Sequence, residues 1–165
     1  MKTFLGILCA LLFLSCTLSA QHKSTRLTGA WHVTHVETHG DNPRTITESE
    51  LQPSLLLFTD GYYSMMEDHA DKPRPALPEG GSAKATAEEL RATYGPITAN
   101  SGTYEIKGGT LITHPLIAKN PSVMAPGAAS TYSFKIEGNK LVLTGVSGRN
   151  GPVKNAATVT LTRLE

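Results

Sequence analysis

Gly102-Thr103-Tyr104-Glu105-Ile106-Lys107-Gly108-Gly109-Thr110-Leu111-Ile112-Thr113 has the pattern of a β-hairpin. On each side of Gly108-Gly109 the residues alternate in character, and a two-residue type I′ turn needs positive φ at both central positions, which glycine adopts at little cost. Further on, Ile136-Glu137-Gly138-Asn139-Lys140-Leu141 repeats the same turn chemistry. Period two then sets the faces. Gly102, Tyr104 and Ile106 pair inward with Pro115, Thr113 and Leu111. Tyr132, Phe134 and Ile136 share the inner face with Leu141 and Leu143, while Glu105, Lys107, Lys135, Glu137 and Lys140 point to solvent.

Working outward from these hairpins, the same alternation predicts strands over 30–37, 54–59, 62–67, 102–107, 110–117, 130–137, 140–145 and 157–164. Asp60-Gly61 supplies another tight turn. Thr86-Ala87-Glu88-Glu89 is a capping box, and the apolar signal after it stops at Gly95-Pro96, so a short helix is expected over 87–94, between the third and fourth strands. Eight antiparallel strands with short hairpins form a sandwich or a barrel, and closure removes both sheet edges. The expectation is an all-β, eight-stranded up-and-down barrel with two long loops, 38–52 and 68–85, as candidate lids.

Composition excludes several classes. The 165 residues suit one domain, and 15 basic against 14 acidic side chains give no excess that would attract nucleic acid. Residues 1–20 read as an export signal: Lys2, an apolar run from Phe4 to Leu14, then Ser15-Cys16-Thr17-Leu18-Ser19-Ala20. That run is too short to span about 30 Å of hydrocarbon. Cleavage after Ala20 would release a domain of residues 21–165 to the periplasm or the exterior. Alternatively, Phe13-Leu14-Ser15-Cys16 resembles a lipobox, which would make the product an outer-membrane lipoprotein, and membrane contact is expected only if Cys16 is lipidated. Both cysteines, Cys9 and Cys16, lie in this segment, so the mature domain would have no thiol for a disulfide, a metal or a nucleophile.

The first and last strands carry an informative pair. Trp31 starts an inward row, and Arg163 ends one that runs through Ala157, Val159 and Leu161. A guanidinium at that place needs a partner, and an indole face provides one. Gly29-Ala30-Trp31 resembles the first-strand Gly-x-Trp of the lipocalins, with Arg163 as the last-strand arginine that closes the barrel. More closely, the chain resembles the bacterial and fungal lipocalin-like domain family over about Leu27 to Leu164. The segments that carry this are 56–66, 86–89, 101–105 and 136–141, in that order. The resemblance implies a calycin-type barrel with a cup for a small apolar or amphipathic molecule. The chain departs from the disulfide-bearing secreted lipocalins in having no mature cysteine.

Candidate pocket residues follow from facing. Val33 and His35 share the Trp31 row, with Glu37 beyond them. Tyr63 and Met65 share a face with Leu56 and Phe58, leaving Leu55, Leu57, Ser64 and Met66 on the other. Tyr104, Tyr132 and Phe134 lie on inward rows, and buried phenols need hydrogen-bond partners. Strict pairing puts His114 outside, opposite Thr103, but a bulge invited by Pro115 would turn it inward. The family resemblance also favours a pocket histidine in this strand.

His32, His35 and His39 do not form a metal site on a strand. The first two face opposite ways, and the last two stand about 13 Å apart. No Gly-x-Ser-x-Gly, mature Cys or spaced carboxylate pair marks a catalytic centre. The leading expectation is a monomeric binding protein for a small apolar or amphipathic ligand, with no cofactor, metal or nucleic acid. The alternatives are a cofactor-free cyclase, isomerase or hydrolase using His35 or His114 as acid/base, and a packed barrel that serves as a structural or interaction domain.

Overall fold

A computed structural model describes residues 26–165; residues 1–20, which read from sequence as an export signal, and both cysteines within them lie outside the described residues. The chain runs β1 (Gly29–Thr38), β2 (Arg44–Thr47), β3 (Ser54–Phe58), β4 (Tyr62–Asp68), α1 (Ala87–Tyr94) and β5 (Ile97–Lys107). It continues through β6 (Thr110–Ala118), β7 (Ser130–Glu137), β8 (Lys140–Gly148), β9 (Gly151–Pro152) and β10 (Ala157–Arg163). Strands β1, β3, β4, β5, β6, β7, β8 and β10 pair antiparallel in sequence, and β10 bonds to both β8 and β1, closing an eight-stranded barrel. The helix follows β4, one strand later in the count than the sequence suggests. The short β2 precedes it, inside the segment 38–52 that reads as loop.

β2 and β3 share one edge of β1. Gly29–Trp31 pair with Phe58–Leu56, whereas His35–Thr38 pair with Thr47–Arg44 of β2. Between these two stretches the Val33 amide donates to Ser54 Oγ at 2.8 Å.

Helix α1 carries its capping box: the Glu89 amide donates to Thr86 Oγ1 at 3.2 Å, and the Thr86 amide donates to Glu89 Oε2 at 2.7 Å. At the other end Lys119 Nζ donates to the carbonyls of Tyr94, Gly95 and Ile97, a cation placed where the helix dipole favours it. The loop before the helix is tied to it by Arg74, whose Nη1 donates to the Thr93 carbonyl at 2.7 Å and whose Nε donates to Asp68 at 2.5 Å. Burial works against the Asp68 charge, but Arg74 and the Ala70 amide outweigh it and hold the carboxyl below its ordinary value. On the outer face of β3 and β4, Leu55, Leu57, Ser64 and Met66 line a groove beside Arg74. The loop covers that groove only in part, and Met66 stays exposed.

The core fills one end of the barrel. Trp31, Phe58, Tyr104, Leu111, Leu141 and Leu161 are buried there from inward rows, and Leu27, just before β1, is buried with them. Arg163 Cζ lies 4.0 Å from the Trp31 ring centroid, and its guanidinium donates to the carbonyls of Thr28 and Arg26. Trp31 Nε1 donates to the Leu27 carbonyl at 2.9 Å, so the indole is satisfied while fully buried. Gly29 sits at φ +140°, and a Cβ there would run into the Arg163 guanidinium. This is why a glycine stands two residues before the tryptophan.

Candidate functional site

Beyond this core the barrel is hollow, where inward positions such as Thr113, Gly145 and Ala157 carry side chains too small to meet across it. A deep chamber of about 320 Å³ is lined by Tyr63, Met65, Leu111, Thr113, Tyr132 and Leu143, with β10 and the β8–β10 connection completing the wall. Above it a wider chamber of about 500 Å³ opens between β1, β2 and the end of β4. Glu67, Ala157 and Val159 line both, so the chambers meet at a neck formed by β4 and β10. The segment 44–52 supplies Arg44, Ile46, Glu50, Leu51 and Gln52 to the wider chamber, and residues 68–71 form part of its far rim.

The lining of the deep chamber is mainly apolar with a few polar groups, the usual composition of a small-molecule pocket, whereas the wider chamber is lined largely by polar and charged side chains. Tyr63 Oη donates to Asn100 Oδ1 at 2.5 Å, and burial pushes this phenol up to about 12. Burial also raises Tyr132, against a hydrogen bond from Ser130 that lowers it. Both phenols are therefore neutral hydrogen-bonding groups near neutral pH. Glu67 Oε2 lies 3.4 Å from His69 Nε2. The hydrogen bond to Glu67 raises His69 above its ordinary value, against desolvation, with the Glu67 and Asp68 charges adding to the rise.

The structure brings four of the residues expected from sequence to the hollow: Val33 to the wider chamber, and Tyr63, Met65 and Tyr132 to the deep one. The others stand elsewhere. His35 is turned off the inner row by a bulge at Thr34, where the register with β10 slips between Val33 and His35. Beyond that slip Val36 and Thr38 face inward, opposite Val159 and Ala157, and Thr34 Oγ1 bonds along the outside to Thr162. His35 Nε2 instead pairs with Glu37 at 3.0 Å on the outer surface.

His114 also stays outside, opposite Thr103 and 3.5 Å from Glu105. The bulge invited by Pro115 does form, but the extra residue is Leu116, one step too late to turn His114. Gly102 makes that bulge possible, since a Cβ there would overlap the His114 carbonyl. Tyr104 faces inward but lies at the filled end, its hydroxyl donating to the Thr59 carbonyl at 2.8 Å and its ring edge-on to Phe58 at 5.4 Å. Phe134 pairs with Leu143 and packs against the core.

Most polar residues of the hollow were not singled out from sequence, among them Glu67 and Asn155 of the lining and Asn100, which holds the Tyr63 hydroxyl. Glu67 and Asn100 carried a signal, since each continues an inward row by period two, Glu67 after Tyr63 and Met65, Asn100 before Gly102 and Tyr104. Asn155 comes from the β9–β10 connection, which no alternation predicts. Among the described residues no group of three or more His, Cys, Asp or Glu is placed to hold a metal ion.

A closed antiparallel barrel locked at one end by a Trp–Arg stack and hollow at the other is a lipocalin-type barrel. The comparison with protein families agrees, since a family model described as a lipocalin-like domain matches residues 28–163. The chain belongs to that lipocalin-like domain family. No curated protein matches it. Among solved structures it is similar to an uncharacterized protein from Bacteroides eggerthii DSM 20697, at 9% identity and a TM-score of 0.43, covering 82% of this chain and 98% of that one.

Proposed function

We propose that this protein is an exported, monomeric carrier of a small amphipathic molecule, held in the hollow end of the barrel. The observation that carries the reading is the contrast between the two ends. A barrel of eight strands is just wide enough either to fill with side chains or to hold one small ligand. Here the sequence fills one half with Leu, Trp and Phe and leaves the other half open above Tyr63, Tyr132 and Thr113. The lining supports an amphipathic occupant, with an apolar body against Met65, Leu111, Leu143 and Val159 and a polar end at the neck. The catalytic alternative loses its nominated acid/base groups, because His35 and His114 both lie on the outer surface. Export rests on the sequence of residues 1–20, with release after Ala20 or lipidation at Cys16 as its two routes.

Native mass spectrometry of the protein produced from its full-length chain in an exporting host tests both parts. The expected result is a mature chain carrying an extra mass that denaturation releases, with an N-terminus at Gln21 or a lipidated Cys16. An unprocessed N-terminus would overturn the export reading. A bare chain that also takes up no apolar probe would overturn the carrier reading.

A further inference from the structure

The neck of the hollow bears on which ligand class is taken. Glu67 is the ionisable side chain common to both chambers, and only 16% of it is exposed. A carboxylate so placed needs a counter-charge or full hydrogen bonding to offset its lost hydration. Its neighbour His69 is more than half exposed and lies at 3.4 Å, a loose partner on the solvent side. The deep chamber beyond Glu67 holds the Tyr63 and Tyr132 phenols and, among the described residues, no cationic side chain.

The wider chamber is biased the same way. Glu50, Glu67, Asp68 and Asp71 line it with Arg44 and His69; Asp68 is already bound to Arg74 and the exposed Asp71 lies 3.8 Å from Arg44, which leaves Glu50 and Glu67 against His69. Three ligand classes fare differently at such a neck. An anionic amphiphile would place like charges together, and a neutral one would leave Glu67 to His69. A protonated amine would give the carboxylate a charge-assisted hydrogen bond and could lie against phenol faces.

We propose that Glu67 is the specificity-determining residue of the cup and that it selects an amphiphile whose polar end is a protonated amine. This rests on the carrier reading above and deepens it. The alkyl part of the ligand lies in the deep chamber, and the ammonium stops at the neck in place of His69.

The test is isothermal titration calorimetry of the full chain at pH 7.5 with three probes that share an eight-carbon tail: octylammonium, octanol and octanoate. Octylammonium is expected to bind about tenfold or more tighter than octanol, with octanoate weakest. Glu67→Gln should remove that preference and leave octanol affinity within about twofold. Equal or tighter binding of octanoate, or a Glu67→Gln variant that keeps the amine preference, overturns the proposal. If Glu67→Gln does not fold, the ranking of the three probes on the unaltered protein decides. Octanol binding as tightly as the amine would sink the role of Glu67 and leave the carrier reading standing, whereas no binding of any probe would sink both.

Discussion

Arg163→Ala removes the lock at the filled end of the barrel. The guanidinium lies over an indole with no exposed surface, a stack worth about 1–2 kcal/mol when desolvated. It also donates to the carbonyls of Thr28 and Arg26, each bond to a charged donor being worth about 1.5–3 kcal/mol. Water can reach those carbonyls once the side chain is gone, so the lower end applies and the total loss is about 4 kcal/mol. For a domain of this size that lowers Tm by about 12–15 °C.

Arg163→Lys keeps the charge but not the planar fork, so its loss should be about half as large. The protein's one tryptophan is Trp31, so its fluorescence reports the locked end directly during thermal unfolding. Gly29→Ala supplies an internal control. In the wild type the new methyl meets the guanidinium and the Glu165 carbonyl, whereas in the Arg163→Ala background the first clash is gone and the second remains with the backbone strain. The double-mutant cycle should therefore show a coupling of about 1 kcal/mol or more. A drop in Tm below about 3 °C for Arg163→Ala, with unchanged Trp31 emission, would refute the assignment of the lock to this pair.

Two further predictions concern the aromatic residues. Tyr104→Ala deletes a ring from the filled core and should cost about 3–5 kcal/mol in urea denaturation, whereas Tyr132→Ala, at the chamber wall, should cost clearly less and change octanol binding instead. In alkaline difference spectroscopy Tyr63, Tyr104 and Tyr132 should ionise late, Tyr63 at about pH 12, because burial disfavours their phenolates. Since the folded chain holds these protons more tightly than the unfolded one, stability should be fully present below about pH 10 and fall as pH rises towards 12. A single phenolate transition centred near pH 10 with no loss of fold would contradict this.

How much of this the sequence showed varied along each strand. Hairpin turns and inward rows were legible because a two-residue turn fixes register and period two fixes face. The Phe58–Tyr63 and Leu56–Met65 pairs follow directly from Asp60-Gly61. Height along the barrel axis was not legible. Tyr104 and Tyr132 both face inward, yet one lies in the core and the other at the cavity, and alternation has no term for depth.

Bulges were the other loss. Thr34, His35 and Val36 are all acceptable on either face of a strand, so the slip that reverses His35 and Val36 leaves no mark in the pattern. Glu67 and Asn100 were legible by phase but pass as surface residues, since a polar residue at an inward phase is the usual sign of a strand end.

The divided edge of β1 gives the barrel wall a frame and a door. The frame is continuous where β3 runs beside Gly29–Trp31 under the Arg163 lock, and the door is the β2 segment, fixed to the far half of β1 and joined to the frame through Ser54. Residues can therefore be added or removed between Thr38 and Ser54 without moving any of the eight staves. The aperture over the hollow can change by loop length alone, while the filled end keeps its packing. Under the carrier role proposed above, such a barrel can be refitted over evolutionary time for a ligand of another size through its least constrained stretch of chain. In the laboratory, shortening residues 39–53 is accordingly the most direct way to widen access to the cup.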